Sequence, residues 1–234
     1  MLLERLREEV LEANLDLVRR GLVLSTFGNV SGVSREESLI VIKPSGVPYN
    51  TMKPGDLVVT DLAGNVVEGT LRPSSDLPTH ALLYREFPAV GGVAHTHSEF
   101  ATAWAQARKP IPCFGTTHAD YFHGEIPLTK VMADTAIRGE YELNTGVAIV
   151  ATFKKKDPMA IPAVLVANHG PFTWGINAAK AAENAWMLEA AARIAYFTVT
   201  INPRAKSIGK PLHDKHFLRK HGKEAYYGQP KQKK

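Results

Sequence analysis

The sequence predicts an α/β fold in which helices cover both faces of a mixed, partly antiparallel sheet. Short β-branched runs alternate along the chain with segments whose apolar residues recur at helical spacing. Several of the predicted strands are joined by short turns, which connect antiparallel neighbours. The 234 residues contain no linker rich in Gly, Ser or Pro and no internal repeat. We therefore expect one domain over residues 1–229 and a disordered basic tail over residues 230–234.

The first third of the chain combines one helix with short strands. Apolar residues repeat at helical spacing from Leu3 to Leu17, and Gly21 follows as a stop signal. Residues 39–42 form a predicted strand of β-branched and leucine side chains. Residues 57–69 form a predicted hairpin, because two β-branched runs flank an Ala-Gly-Asn turn.

A helix, a strand and a second helix are predicted next. Ser74 or Ser75 can cap a helix that runs to about Phe87. Residues 90–95 form a predicted strand, and residues 99–107 form a helix directly after it.

The second half begins with an irregular stretch, residues 110–124, which contains two prolines. The elements predicted after it are a helix over 131–141, a strand over 146–152, a strand over 163–167, a helix from Asn177 to about Val199 and a short helix over 213–221.

Composition and motif content exclude several classes of partner. The formal net charge is +5, and the segment from Arg204 to Lys234 alone carries a net charge of +8. No zinc-finger, helix-turn-helix or aromatic-basic motif accompanies this charge, so we expect no nucleic acid partner. The chain lacks an apolar run of about 18 residues, a Gly-x-Gly-x-x-Gly motif and a Walker loop, so we expect no membrane span and no nicotinamide. A single cysteine excludes an intramolecular disulfide, and we expect a cytoplasmic location.

Three histidines and one aspartate suggest a metal site. His95 and His97 are two positions apart at the end of a predicted strand, so their side chains share one face. His169 follows the apolar run 163–167 and can supply a third nitrogen, and Asp76 at a helix start can be a fourth, replaceable ligand. Three imidazoles with an open fourth position are typical of catalytic zinc. The spacing alone leaves open that these are ordinary structural histidines.

Five short motifs and a C-terminal signature, spread over nearly the whole chain, resemble a known family. They are Gly28-Asn29, Lys43-Pro44-Ser45-Gly46, Ser74-Ser75-Asp76, His95-Thr96-His97, Asn168-His169-Gly170 and the segment from Asp214 to Gln229. Together they resemble the class II aldolase and epimerase superfamily, and within it the L-ribulose-5-phosphate 4-epimerases.

The resemblance implies a three-layer α/β/α sandwich with a mixed, largely antiparallel central sheet. It implies a homotetramer with active sites between subunits, and a Zn²⁺ ion, or Mn²⁺ or Co²⁺, on His95, His97 and His169 with Asp76. It assigns Asp120 and Tyr227 as the acid/base pair, with Tyr226 as the adjacent alternative to Tyr227. It also assigns ten substrate-binding residues: Gly28, Asn29, Lys43, Ser45, Gly46, Ser74, Ser75, Thr116, His216 and Arg219.

The implied reaction interconverts L-ribulose 5-phosphate and D-xylulose 5-phosphate, which differ only at C4. The ketone at C2 does not acidify the C4 hydrogen, and transient oxidation at C4 would need a nicotinamide. Reversible cleavage of the C3–C4 bond remains, with a metal ion as the Lewis acid. This route needs a phosphate pocket and proton-transfer groups on two sides of the aldehyde.

Three alternatives stay open from the sequence. The first is a class II sugar-phosphate aldolase of the L-fuculose-phosphate type, in which a glutamate matches Asp76 and serves as acid/base. The second is an epimerase of a related pentulose phosphate. The third is a non-enzymatic interaction module like the adducin head domain, which predicts lost metal ligands.

Overall fold

One seven-stranded sheet forms the middle layer of the protein, in a computed structural model that describes residues 1–221 and 225–228. The predicted tail, residues 230–234, lies outside the described residues. In spatial order the strands are β4 (Val66–Glu68), β3 (Val58–Asp61), β2 (Leu39–Ile42), β1 (Asn29–Ser34), β5 (Gly92–His95), β7 (Gly170–Gly175) and β6 (Ala163–Val166). Neighbouring strands pair antiparallel. Parallel pairing in the described chain is limited to a bridge between Leu128 and Leu165.

Helices cover both faces of this sheet, which confirms the three-layer prediction. They are α1 (Glu4–Arg19), α2 (Leu77–Glu86), α3 (Glu99–Gln106), α4 (Thr116–Ala119), α5 (Asp134–Arg138), α6 (Tyr141–Phe153), α7 (Ala178–Ile201) and α8 (Lys210–His221). One apolar core lies between the sheet and α2 and α6, and a second lies between the sheet and α1 and the first half of α7. Within the described ranges, no helix is long and apolar enough to cross a membrane.

One row of cross-strand neighbours shows on which face of the sheet the candidate site lies. Asn29 pairs with His95, His95 pairs with Phe172, and Phe172 pairs with Val164. Directly opposed residues of antiparallel strands share a face. Because Phe172 and Val164 belong to the core under α2 and α6, Asn29 and His95 also face that side.

The predicted strand over residues 146–152 is wrong, because this segment lies within helix α6. Its β-branched residues favoured a strand, but the buried positions Thr145, Ile149 and Phe153 recur every four residues, which is the helical period. Gly146 allows α6 to approach α2, since a Cβ atom there would lie 3.0 Å from Cδ2 of Leu82.

Three other elements differ from the sequence prediction, two in their boundaries and one in its existence. The helix expected over residues 131–141 shrinks to α5, five residues that end before Gly139. Strand β7 was not predicted, although Phe172 and Trp174 alternate with smaller residues between two glycines. Helix α2 begins after Asp76, which is its N-cap residue, and neither Ser74 nor Ser75 caps it; Ser74 accepts a hydrogen bond from the Asp76 amide. The predicted Asn177 cap of α7 is confirmed by a 2.8 Å hydrogen bond from the amide of Lys180.

Helix α3, which starts two residues after His97, is capped from another helix. Its own N-cap residue, Ser98, makes no side-chain capping bond. The carboxylate of Glu189 on α7 accepts instead from the amides of Phe100 at 2.8 Å and Ala101 at 2.9 Å. A negative charge at a helix N-terminus is favourable, so Glu189 both caps α3 and joins it to α7.

Candidate metal centre and cleft

Three histidines converge at one end of the sheet. His95 is the last residue of β5, His97 lies two residues beyond that strand, and His169 lies in the turn between β6 and β7. One ligand atom from each lies within 4.8 Å of the others, and Nε2 of His95 is 3.1 Å from Nε2 of His97. The structure thus brings together the three imidazoles that the sequence predicts as metal ligands.

Main-chain and aromatic contacts hold the ring of His95. Its Nδ1 donates to the carbonyl oxygen of Pro171 at 2.9 Å, and its ring stacks on Phe172 with centroids 4.2 Å apart. A proton on Nδ1 leaves the lone pair of Nε2 free on the side of His97. Imidazole nitrogens this close, with one tautomer already set, fit a divalent ion of the zinc type.

Burial favours the neutral form of the other two histidines. It lowers the pKa of His97, and the nearby His95 adds to the effect. It lowers the pKa of His169 to about 4, with smaller contributions from His95 and His97. Neutral imidazole is the form that binds a metal ion, so the electrostatics of this trio also fit the predicted ion.

Asp76, the predicted fourth ligand, lies in the same cleft but outside the convergent trio. Asn29 donates from Nδ2 to Oδ2 of Asp76 at 2.7 Å. Burial raises the pKa of Asp76, but His95, His80 and the Asn29 hydrogen bond outweigh it, so the pKa lies below its usual value. Asp76 is therefore an ionised carboxylate, and its role as a ligand stays a prediction.

The histidines open into a cleft with a volume of about 360 Å³, here called the histidine cleft. Most of the predicted substrate-binding residues lie on its walls. Those present are Gly28, Asn29, Lys43, Ser45, Gly46, Ser74 and Ser75.

Gly28 brings one wall of the cleft close to the ligand strand. Its φ is +85°, and a Cβ atom there would lie 3.0 Å from the carbonyl oxygen of His95. Glycine adopts such a conformation without steric cost. The hydroxyl of Tyr49 donates to the carbonyl oxygen of Gly28 at 2.7 Å, which holds the loop that carries Asn29.

Lys43 is a buried cation in the histidine cleft. Its exposed fraction is 2%, and its Nζ lies 3.3 Å from the carbonyl oxygen of Pro44 and 4.7 Å from the ring centroid of Tyr49. Burial lowers the pKa of Lys43, and no carboxylate in the described part of the chain offsets it. A buried charge is costly without a counter-charge, so this position suits the anionic group of a ligand.

The predicted acid/base residues lie together in a second place. Asp120, directly after α4, accepts hydrogen bonds from Arg219 at 2.8 Å and from His216 at 3.0 Å. Lys220 lies 3.4 Å from the same carboxylate, and the Tyr227 ring lies under Arg219 and Lys220. These five residues are called the Asp120 cluster below.

The Asp120 cluster does not line the histidine cleft of its own chain, and neither does Thr116 on α4. Burial raises the pKa of Asp120, but hydrogen bonds from Arg219 and His216 and the charge of Lys220 hold it below its usual value. The ring of Tyr227 is exposed to 62%. The predicted site residues thus separate into two groups within one chain.

Sequence reasoning missed four residues of the cleft: Thr26, Phe27, Tyr141 and Glu142. Phe27 directly precedes the Gly28-Asn29 motif, and this adjacency could have predicted that Phe27 lines the cleft. Tyr141 had none, because the contact of its hydroxyl with Nδ1 of His169, 3.2 Å away, depends on how α6 packs.

Comparison with known proteins identifies related sequences and folds. The family model described as "Class II Aldolase and Adducin N-terminal domain" matches residues 8–196. A solved L-fuculose 1-phosphate aldolase is 26% identical, with a TM-score of 0.77 over 91% of this chain and 94% of that chain. YgbL from Klebsiella pneumoniae, for which aldolase, epimerase and decarboxylase activities have been suggested, is 25% identical, with a TM-score of 0.73 over 92% and 99% of the two chains. A sugar-phosphate aldolase from Thermotoga maritima shares the fold at 17% identity, with a TM-score of 0.66 over 85% and 96%.

Proposed function

The chain belongs to the class II aldolase and adducin N-terminal domain family, and on that premise we propose that it is a metal-dependent epimerase. Its substrates are L-ribulose 5-phosphate and D-xylulose 5-phosphate, and its reaction is reversible cleavage of the C3–C4 bond. Members of the family use a divalent metal, usually Zn²⁺, and act on sugar phosphates. The observation that carries the proposal is the histidine cleft, in which three convergent imidazoles lie beside the buried cation Lys43.

His95, His97 and His169 are the proposed ligands, with Asp76 as the fourth. When bound, a divalent ion supplies Lewis-acid stabilisation of the negative charge that develops on the dihydroxyacetone fragment. The proposal is supported by burial, which lowers the pKa of His97 and of His169, and by the contact between Nδ1 of His95 and Pro171, which leaves Nε2 of His95 facing His97.

The phosphate group is proposed to lie near Lys43, Ser45, Gly46 and Ser75. Lys43 provides the charge that a phosphate needs, and serine hydroxyls and backbone amides donate hydrogen bonds without steric bulk. The same pocket retains glycolaldehyde phosphate while the aldehyde group turns over.

Asp120 and Tyr227 are the proposed base and acid, supplied by the neighbouring subunit of a homotetramer. Two observations support this. Asp76 is ionised and held by Asn29, which suits a ligand better than a proton donor. Asp120 and Tyr227 lie together, with Tyr227 exposed, but they do not line the cleft of their own chain.

The bonds change as follows. Asp120 accepts the proton of the C4 hydroxyl while the C3–C4 bond breaks, which leaves glycolaldehyde phosphate and the enediolate of dihydroxyacetone. The aldehyde rotates and presents its opposite face, and the enediolate carbon re-forms the C3–C4 bond. Tyr227 donates a proton to the C4 oxygen on the new side. Asp120 then releases its proton and Tyr227 regains one, and the reverse reaction uses the two groups in opposite roles.

An aldolase is the second candidate, and the 26% identity to an L-fuculose 1-phosphate aldolase favours it. Aspartate at position 76, where the resemblance places a glutamate in that aldolase, favours the epimerase. Incubating the pure protein with L-ribulose 5-phosphate separates the two. D-xylulose 5-phosphate as the main product supports the epimerase. Free dihydroxyacetone and glycolaldehyde phosphate as the main products would identify an aldolase.

A further inference from the structure

Tyr141 contacts a proposed metal ligand from outside the ligand set. It is the first residue of α6, and its hydroxyl oxygen lies 3.2 Å from Nδ1 of His169. The ring lines the histidine cleft. A phenol oxygen at this distance from a ring nitrogen can accept a hydrogen bond.

The ring orientation of His169 depends more on a side-chain contact than that of His95 does. The ring of His95 is held by the carbonyl oxygen of Pro171 within the sheet. His169 lies in a turn, directly after Asn168, whose φ is +63°. A ladder of strand hydrogen bonds therefore does not set the direction of its side chain. In the described part of the chain, Tyr141 is the residue that hydrogen-bonds its ring.

Packing between α6 and α2 holds Tyr141 in place. Gly146 lets the two helices approach, since a Cβ atom there would lie 3.0 Å from Leu82 and 3.3 Å from Cα of Thr79. The hydroxyl of Thr79 donates to the carbonyl oxygen of Glu142, the residue after Tyr141. Because Asp76 stands at the start of α2, the same helix pair sets the positions of Asp76 and Tyr141.

We propose that Tyr141 is a positioning residue for the metal centre, which accepts the Nδ1 proton of His169 and thereby presents the Nε2 lone pair of His169 to the ion. Partners of this kind fix the tautomer and the ring orientation of ligand histidines. The inference rests on the metal centre of the proposed function and adds a residue that none of the sequence motifs contains.

Metal affinity tests the role directly. The metal-free Tyr141→Phe protein keeps the aromatic ring but has no oxygen to accept the Nδ1 proton. Competition with a chromogenic chelator for Zn²⁺ should show an affinity about 10- to 100-fold weaker than that of the wild-type protein. An unchanged affinity would overturn the proposal, whereas a wild-type protein that binds no Zn²⁺ would overturn the metal centre itself.

Thr152→Val is the matched control for helix stability. Thr152 lies on α6 eleven residues after Tyr141, and its hydroxyl donates to the carbonyl oxygen of Ala148 at 2.8 Å. We expect this variant to bind Zn²⁺ as the wild type does, even if its melting temperature falls. Equal losses of Zn²⁺ affinity in both variants would reduce Tyr141 to a structural role and overturn the proposal.

Turnover at saturating Zn²⁺ separates positioning from contact with substrate. If Tyr141 acts through His169, excess Zn²⁺ should restore most of the turnover of Tyr141→Phe. Low turnover of a fully loaded variant whose Zn²⁺ affinity is normal would show that the hydroxyl acts on the substrate instead.

Discussion

The histidine cleft and the Asp120 cluster are built in different ways. In the cleft, strand pairing aligns Asn29 with His95, and a main-chain carbonyl holds the His95 ring. In the cluster, the side chains of α8 converge on the carboxylate of Asp120 through hydrogen bonds and charge. The sheet therefore sets the positions of Asn29 and His95, whereas the cluster depends on the docking of helix α8. This difference agrees with the proposal that the cleft binds the substrate and that a neighbouring subunit contributes the cluster.

The largest expected effect comes from the cleft itself. His97→Asn should lose most bound metal and bring activity to background, because it removes one of the three proposed histidine ligands. The circular dichroism spectrum should stay that of a folded protein, since the core does not depend on this ring. Metal analysis of the purified variant checks this, with His213→Asn on α8 as the control. Full activity of the wild type after exhaustive chelation would contradict a metal mechanism.

The corresponding change in the Asp120 cluster should leave the metal in place. Asp120→Asn should lower turnover by roughly 10²–10⁴-fold, the usual contribution of a general acid or base. Zn²⁺ content should equal that of the wild type, because Asp120 is not a ligand. A drop in metal content that parallels the drop in turnover would show that the two regions are not separate.

Mixing the two variants tests whether neighbours share a site. Subunits with His97→Asn and subunits with Asp120→Asn are unfolded and refolded together. If sites form between subunits, some will combine an intact ligand trio with an intact Asp120, and activity should exceed that of both parents. Mixed oligomers without recovered activity would place each site within one chain.

A smaller effect is expected at the phosphate pocket. Ser75→Ala removes one neutral donor to a charged acceptor, a loss of about 1.5–3 kcal/mol. The Michaelis constant should rise by about 10- to 150-fold while the melting temperature stays near that of the wild type. Steady-state kinetics and thermal unfolding, measured on the same preparation, distinguish a substrate-binding role of Ser75 from a structural one. A lower melting temperature with an unchanged Michaelis constant would make Ser75 a structural residue.

The smallest expected effect is a change in how the free energy of unfolding of the metal-free protein depends on pH. Burial lowers the pKa of His118, beside the Asp120 cluster, to about 4. Its folded pKa lies below the ordinary value of 6.5, so its contribution to stability is complete above pH 6.5 and is lost as the pH falls toward 4. Between pH 6.5 and 5 this loss amounts to about 2 kcal/mol. Urea unfolding at pH 7 and pH 5 should show a smaller difference for His118→Gln than for the wild type, and equal differences would refute the assignment.

The convergence of His95, His97 and His169 could be predicted because its signals are local. Two histidines lie at the end of one predicted strand and a third follows another, so correct strand predictions are enough to expect that the three converge. Tyr141 could not be predicted, because its place depends on the contact between Gly146 and Leu82 across two helices. The same contact explains the wrong strand over residues 146–152. Its β-branched residues favour extended structure locally, and only packing on α2 favours the helix.

The contact of Glu189 with α3 restricts the length of the chain between His95 and α3. His95 ends a paired strand, and the amides of Phe100 and Ala101 are bound to Glu189. Only four residues, 96–99, lie between these two attachments. One inserted residue would rotate α3 by about 100° around its axis, so either the two amides would leave Glu189 or His97 would turn away from His95. We therefore expect an insertion or deletion between His95 and α3 to disturb the proposed metal centre more than a conservative substitution does.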